Sequence, residues 1–383
     1  MFKYYRLKDY DFKLIVYVII ISIFGILLVN SALPDNMQKQ MMGVVVGFVI
    51  MVILSFVDYH IWLKFWPAYY VLNVGLLLAV IIWGEKSLGA QRWIRIMGIK
   101  FQPSELAKIL LILFFAAFIM KFKDVINEWY MILVMLVLAV IPIALIYKQP
   151  DLSTTIVMSL IFFSILYIGE INYRYIIGFL AVFVPAAIII FILLIQPDSV
   201  LVGKNGDDGL GHSSQQLRIL AWLHPEEYEL EEAFQQQNSI MAIGSGQLTG
   251  KGLNNTGVNS VKNGNFISEP QTDFIFTVAG EELGFIGTTT IIVILMLISI
   301  ECMIIAFKAA DVAGRVIAGG MGAYIGFQTL INVSVTTGLF PNTGLPLPFV
   351  SYGLTSLVAL FAGIGFVINV RLQISRKNST ESK

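Results

Sequence analysis

The chain has 383 residues, of which 57% are apolar and only 13% charged, about half the charged share usual in a soluble domain. Mean hydropathy is +0.79, which excludes a soluble multidomain enzyme and a disordered chain. Basic and acidic residues balance at 25 each, so no bulk charge draws the protein to nucleic acid, and the single cysteine, Cys302, excludes an intramolecular disulfide.

A bilayer core of ~30 Å takes about 20 mostly apolar residues in a helix. Ten windows qualify, at roughly 14–33, 41–57, 66–83, 104–120, 129–147, 153–169, 174–195, 273–307, 313–338 and 347–370. An all-α polytopic membrane protein with ten transmembrane helices is expected, as one domain over 1–383. The first window is too long for a signal-peptide core, and a second span follows within ten residues. The eighth would make ~52 Å of straight helix, so it must project or break, and Gly280, Gly284 and Gly287 mark the break.

Ten spans put both termini on one side. That side then holds fourteen cations: Lys3, Arg6, Lys8, Lys13, Lys64, Lys121, Lys123, Arg174, Lys308, Arg315, Arg371, Arg376, Lys377 and Lys383. The short loops opposite hold six, Lys39, Lys86, Arg92, Arg95, Lys100 and Lys148, so the termini are cytoplasmic by the positive-inside bias. Four of the six crowd between Lys86 and Lys100, which calls for another role. One large extracellular loop, 196–272, is expected to cap the membrane domain, with helix-like stretches Gln215–His224 and Glu226–Ile243 ahead of a Gly/Asn-rich segment.

Polar residues gather at the outward ends of the spans. Gly89–Ile94 and Gln102–Lys108 lead into span four, Lys148–Asp151 into span six, Glu269–Asp273 into span eight, and Pro341–Gly353 into span ten; Gln196–Asp198 closes span seven. Spans four, six, eight and ten would thus point helix N-termini outward, where free N–H groups suit phosphate. Arg92, Arg95 and Lys108 add full positive charge, and Glu105, Asp151, Glu269 and Asp273 place carboxylates at the same surface. Charges inside spans are costly and point to function. Mixed cations and carboxylates over an anion-binding floor fit glycosyl or phosphoryl transfer from a lipid pyrophosphate.

Plainer readings compete at each position. Pro103 and Pro150 fall where first helical residues belong, and Thr272-Asp273 could cap a helix. Glu105 and Lys108, three apart on one face, could simply neutralise each other. The acidic run Glu226–Glu232 reads as a solvated face. Gly244–Gly252 fails the phosphate-loop spacing and reads as a glycine-shaped turn. His60, His212 and His224 are too scattered for a zinc site, and Asn254-Asn255-Thr256 is a weak glycosylation match.

As a set, the motifs resemble the SEDS family, the RodA, FtsW and SpoVE group: GAQRWI at 89–94, QPSELAK at 102–108, QPDL at 149–152, AIGSGQLTGKGL at 242–253, TDFIF at 272–276, GEELGFIG at 280–287 and TGLPLPFVSYG at 343–353. The resemblance implies a peptidoglycan glycosyltransferase that polymerises lipid II into glycan strands at the outer face of the bacterial cytoplasmic membrane, beside a class B penicillin-binding protein. It carries the family's aspartate onto Asp273, its Glu and Lys onto Glu105 and Lys108, and its QPDL aspartate onto Asp151. Leu354-Thr355-Ser356 replaces the usual Gly-Ser-Ser, and Ser153 a usual glycine. Val57-Asp58-Tyr59 and the short tails lean toward a RodA-like elongation protein.

On this reading Asp273, Glu105 and Lys108 are catalytic, with Asp273 the base that accepts a sugar hydroxyl proton. Gln91, Arg92, Trp93, Gln102, Asp151, Lys251 and Ser351 bind substrate. A divalent cation, Mg or Mn, would sit on Asp273, Asp151 or Glu105. The alternatives are a lipid II flippase and a non-catalytic scaffold for the penicillin-binding protein. Against the flippase, the polar motifs crowd one half of the membrane.

Overall fold

The computed structural model describes residues 10–87, 90–96, 99–195, 214–226, 232–255, 260 and 267–381. Gly89, Gln196–Asp198, His212, most of the acidic run after Glu226, and the terminal Lys3, Arg6, Lys8 and Lys383 lie outside them.

Among the described residues, thirteen α-helices and three short strands follow in order: α1 (Phe12–Ala32), α2 (Met37–Phe56), α3 (Tyr59–Leu63), α4 (Trp66–Trp83), β1 (Glu85–Ser87), β2 (Ala90–Ile96), β3 (Ile99–Phe101), α5 (Pro103–Lys121), α6 (Trp129–Tyr147), α7 (Leu152–Ile168), α8 (Tyr173–Ile195), α9 (Ser214–Leu223), α10 (Glu232–Ser245), α11 (Ile275–Lys308), α12 (Val312–Thr336) and α13 (Leu354–Glu381), with a 3-10 turn at Pro34–Asn36. Among the described residues, eight helices are long and apolar enough to cross a membrane; α7 and Tyr173–Phe183 of α8 are apolar but shorter. The protein is a helical polytopic membrane protein.

The all-α expectation needs one correction. Strands β1, β2 and β3 form a three-stranded antiparallel sheet in that order, with Glu85 opposite Trp93 and Ile94 opposite Phe101. A helix-length apolar count has no sensitivity to strands this short. One residue separates β3 from α5, so the sheet is coupled directly to that helix.

Helix α5 is the axis of the bundle. It is apolar on all sides and buried along nearly its whole length, packed against α4, α7, α12 and α13. Peripheral α4 buries only Asn73, Leu77 and Val80, a single stripe at helical spacing. On α2, Val45, Val49 and Ile53 are exposed on one face, as a lipid-facing surface requires.

Gly284 breaks α11, as the length argument demands. Its φ of 65° and ψ of −163° lie outside the helical region. The 246–252 turn clasps the break: Phe285 N–H donates to Gln247 O at 2.8 Å, and Lys251 and Gly252 N–H to Glu281 and Glu282 O, both at 3.0 Å. The Glu282 carboxylate is buried and accepts from Ser31 Oγ at 2.6 Å and from the Asn254 and Asn255 N–H groups, both at 3.3 Å.

At the opposite end of the bundle, Asp311 caps α12 through Gly314 N–H at 2.7 Å and takes Tyr59 Oη at 2.8 Å and His60 Nε2 at 2.7 Å. Hydrogen bonding to Asp311, opposed by burial and helped by Asp58, raises the His60 pKa. Tyr59 N–H donates to Asn369 Oδ1 at 2.9 Å, so Val57-Asp58-Tyr59 joins α3, α12 and α13.

Gly284 tests the clasp. A methyl there would meet Gly250 N at 2.3 Å and Leu248 O at 2.8 Å, in a conformation strained for any L side chain. Gly284→Ala is expected to destabilise by at least ~2 kcal/mol, read as a lower unfolding temperature in detergent. Gly75, with nothing near it, serves as the tolerant control.

Candidate active site

Arg92 is turned inward by strand alternation. Its guanidinium donates through Nη2 to Pro150 O, and its Nε lies 3.8 Å from Asp151 Oδ2. Its neighbours in the strand do other work. Gln91 Nε2 donates to Gly84 O at 2.7 Å, closing the end of α4. Arg95 pairs with Glu85 at 3.0 Å on the exposed face, and Lys100 is exposed. Trp93 is partly buried opposite Glu85. Of the loop cations whose side chains are described, Arg92 alone joins the interior site.

Asp151 is the N-cap of α7, with Oδ1 accepting from Thr154 N–H at 3.1 Å and from Ser153 Oγ at 3.3 Å. The helix therefore starts at Leu152, two residues after Pro150, and the first-residue reading holds only for Pro103 of α5. The cap leaves Oδ2 to face Arg92.

Asp273 does not cap α11, whose N-cap is Phe274 and carries no side-chain bond. The segment before the helix is held by its backbone instead. Asn332 Nδ2 donates to Asp273 O at 2.9 Å and to Leu345 O at 2.6 Å, and Ser351 Oγ donates to Thr272 O at 2.6 Å. Asp273 is intermediate in exposure as a residue, and a methyl on Gly344 would lie 2.9 Å from its Oδ2 and 3.9 Å from Arg92 Nη1. Burial pushes the Asp273 carboxyl up to about 6; Arg92 and Arg218 oppose the rise, and Glu269 and Asp151 add to it.

Glu105 and Lys108 form a sealed unit. Lys108 Nζ donates to Glu105 Oε1 at 2.8 Å and to Gln328 Oε1 at 2.7 Å, and lies 4.4 Å from the Tyr324 ring centre. Tyr324 Oη donates to the second Glu105 oxygen at 3.1 Å. Both charged side chains are at most 1% exposed. The neutralising pair is real, and Asp151 lies close enough to act on Lys108.

The other expected binding residues separate. Ser351 joins the Thr272 and Leu347 backbones, the latter through Leu347 N–H at 2.7 Å. Gln102 is the α5 N-cap, and its N–H donates to Thr355 Oγ1 at 3.4 Å. Lys251 pairs with buried Glu281 at 2.9 Å, in the clasp of α11. Among the described residues no group of three or more His, Cys, Asp and Glu side chains is arranged to hold a metal ion. Both Glu105 oxygens are engaged, so the expected cation set does not fit, and Arg92 supplies the positive charge beside Asp273 and Asp151.

Sequence reasoning missed Arg218 on α9, and Gln328 and Asn332 on α12. The last two left a signal: amides four residues apart inside an apolar span, hence on one face.

A family model described as "cell cycle protein", covering FtsW, RodA and SpoVE, matches residues 11–376. The chain belongs to this family. It is 30% identical to the probable peptidoglycan glycosyltransferase FtsW of Geobacter sulfurreducens, over 96% of this chain and 97% of that one. It is 33% identical to the peptidoglycan glycosyltransferase MrdB of Escherichia coli, over 87% and 85%. A chain from a peptidoglycan synthase complex that coordinates polymerization and crosslinking superposes with a TM-score of 0.76 at 25% identity, over 95% of this chain and 98% of that one. The rod shape-determining protein RodA of Thermus thermophilus shares the fold, with a TM-score of 0.67 at 23% identity over 94% and 96%.

Two substitutions separate the Asp273 carboxylate from the sealed pair. The raised Asp273 pKa means that folding favours the neutral acid, so its stabilising contribution is full below the unfolded value of 3.8 and lost as pH rises through about 6. Asp273→Asn should therefore raise the unfolding temperature by a few degrees at pH 7.5, with the gain disappearing below pH ~4. Lys108→Met leaves Glu105 buried and unpaired and should cost about 3–5 kcal/mol at neutral pH, measured in the same melts.

Proposed function

We propose that this chain polymerises lipid II into glycan strands at the outer face of the bacterial cytoplasmic membrane, as a peptidoglycan glycosyltransferase serving cell elongation. The names of the curated relatives support the enzyme class. In this reading the chain crosses the membrane ten times with both termini cytoplasmic, and the ends of α5, α7, α11 and α13 that carry the polar motifs face outward. The likeness to a chain of a synthase complex supports a class B penicillin-binding protein as partner.

One observation carries the proposal: the Asp273 carboxylate sits against Gly344, with the Arg92 guanidinium at the same glycine. The acceptor's 4-hydroxyl oxygen attacks the anomeric carbon of the donor. Asp273 takes the hydroxyl proton as the new C–O bond forms. The bond from the anomeric carbon to the polyprenyl pyrophosphate breaks on the opposite face, so configuration inverts. The departing pyrophosphate keeps the electron pair, and Arg92 and Arg218 stabilise its charge. Asp151 holds Arg92 in place. Glu105 and Lys108 act from within the wall as positioning residues, fixing α5 against α12.

With a base that titrates near 6, activity should fall as pH drops through that value, because the protonated acid cannot accept a proton. Purified protein with its partner transpeptidase, given lipid II in the absence of any other glycosyltransferase, should make long glycan. Asp273→Asn should reduce the rate by at least about 100-fold while folding and partner binding persist. Near-normal polymerisation by that variant would remove Asp273 as the base. Lipid scrambling without polymerisation would establish the flippase instead.

A further inference from the structure

Thr343 opens the TGLPLPFVSYG motif and is 5% exposed. Its Oγ1 is buried and has no hydrogen-bond partner among the described residues. A buried hydroxyl without a partner costs stability, because it has given up water for nothing. The surrounding backbone is held firmly. Ser153 Oγ donates to Thr343 O at 2.5 Å, and Asn332 Nδ2 donates to Leu345 O at 2.6 Å.

The next residue, Gly344, has a φ of 71° and backs onto the Asp273 carboxylate. Arg92, whose Nη1 would lie 3.9 Å from a methyl on Gly344, carries a second unfilled donor: its Nε is buried without a hydrogen-bond partner among the described residues, Asp151 Oδ2 lying 3.8 Å away. Two residues with an orphaned polar atom, Thr343 before it in the chain and Arg92 against it, therefore neighbour the glycine that backs onto the proposed base. Such a cost is characteristic of sites whose partner is a ligand.

We infer that Thr343 is a substrate-positioning residue, its hydroxyl hydrogen-bonding the acceptor sugar whose neighbouring hydroxyl gives its proton to Asp273. The inference rests on the glycosyltransferase reading. A threonine suits the task because one hydroxyl both donates and accepts, matching a sugar hydroxyl. Its branched side chain holds few rotamers, so little freedom is lost on binding.

Thr343→Val keeps the shape and deletes the hydroxyl; Thr343→Ser keeps the hydroxyl. In the lipid II assay, Thr343→Val should lower kcat/KM about tenfold, the weight of one hydrogen bond in a water-poor site, and Thr343→Ser should stay within about twofold. The pH profile should still turn near 6 in both, because the base is untouched. The melt supplies a readout that a structural role would move the other way: Thr343→Val should unfold at the wild-type temperature or above.

Full activity in Thr343→Val would overturn the inference, as would loss of activity together with a lowered unfolding temperature, since the hydroxyl would then serve the fold. Wild-type protein and Asp273→Asn run alongside. If wild-type protein makes no glycan, the glycosyltransferase reading fails first, and Thr343 as an acceptor site falls with it. If wild type polymerises and Thr343→Val matches it, only the Thr343 assignment is lost.

Discussion

The buried Lys108 ammonium is the constraint around which the upper half of the bundle is organised. A charge at the axis of an apolar helix cannot persist unless its donors are satisfied. Glu105, Gln328 and the Tyr324 ring satisfy them. In doing so they fix α5 against α12. The same face of α12 then continues outward: Gln328 Nε2 holds Pro346 O at 2.8 Å, and Asn332, one turn on, holds Leu345 O and Asp273 O. A single stripe of amides thus runs from the sealed ion pair to the backbone of Asp273.

Two kinds of carboxylate result, and their environments set their work. Glu105 has both oxygens committed and a cation at 2.8 Å. Among the described residues Asp273 is held through its main chain, and its carboxylate sits beside Gly344. A carboxyl raised to about 6 is a stronger base than an ordinary aspartate while still largely ionised at neutral pH. Asp151 stands between, with one oxygen spent on the α7 cap and the other toward Arg92.

The long eighth apolar segment is controlled by glycines rather than charge. Gly246 would place a methyl 1.9 Å from Gly280 O, and Gly250 one 2.2 Å from Glu282 O. Such approaches need bare backbone. They let the 246–252 turn take up the amide and carbonyl groups freed where α11 breaks. Glu281 and Glu282, close after Asp273 in the chain, belong to this clasp.

Hydropathy alone determined the membrane class and located the apolar helices, because a bilayer admits few lengths and few charges. The break in α11 was legible from length and glycine spacing. The motif residues Asp273, Asp151, Arg92, Glu105 and Lys108 were legible as candidates because charge in an apolar chain is conspicuous. Helix α9 falls where the first cap stretch is expected, and α10 lies over the second along the residues described. The sheet at 85–101 was hidden because its strands are too short for a periodic signal. Only the tertiary structure decided which candidates lie together: Arg92 turns inward while Arg95 pairs outward, Lys251 pairs with Glu281 in the clasp, and Ser351 holds backbone. That division depends on strand alternation, helix caps and contacts between residues far apart in the chain, none of which a linear pattern of polarity contains.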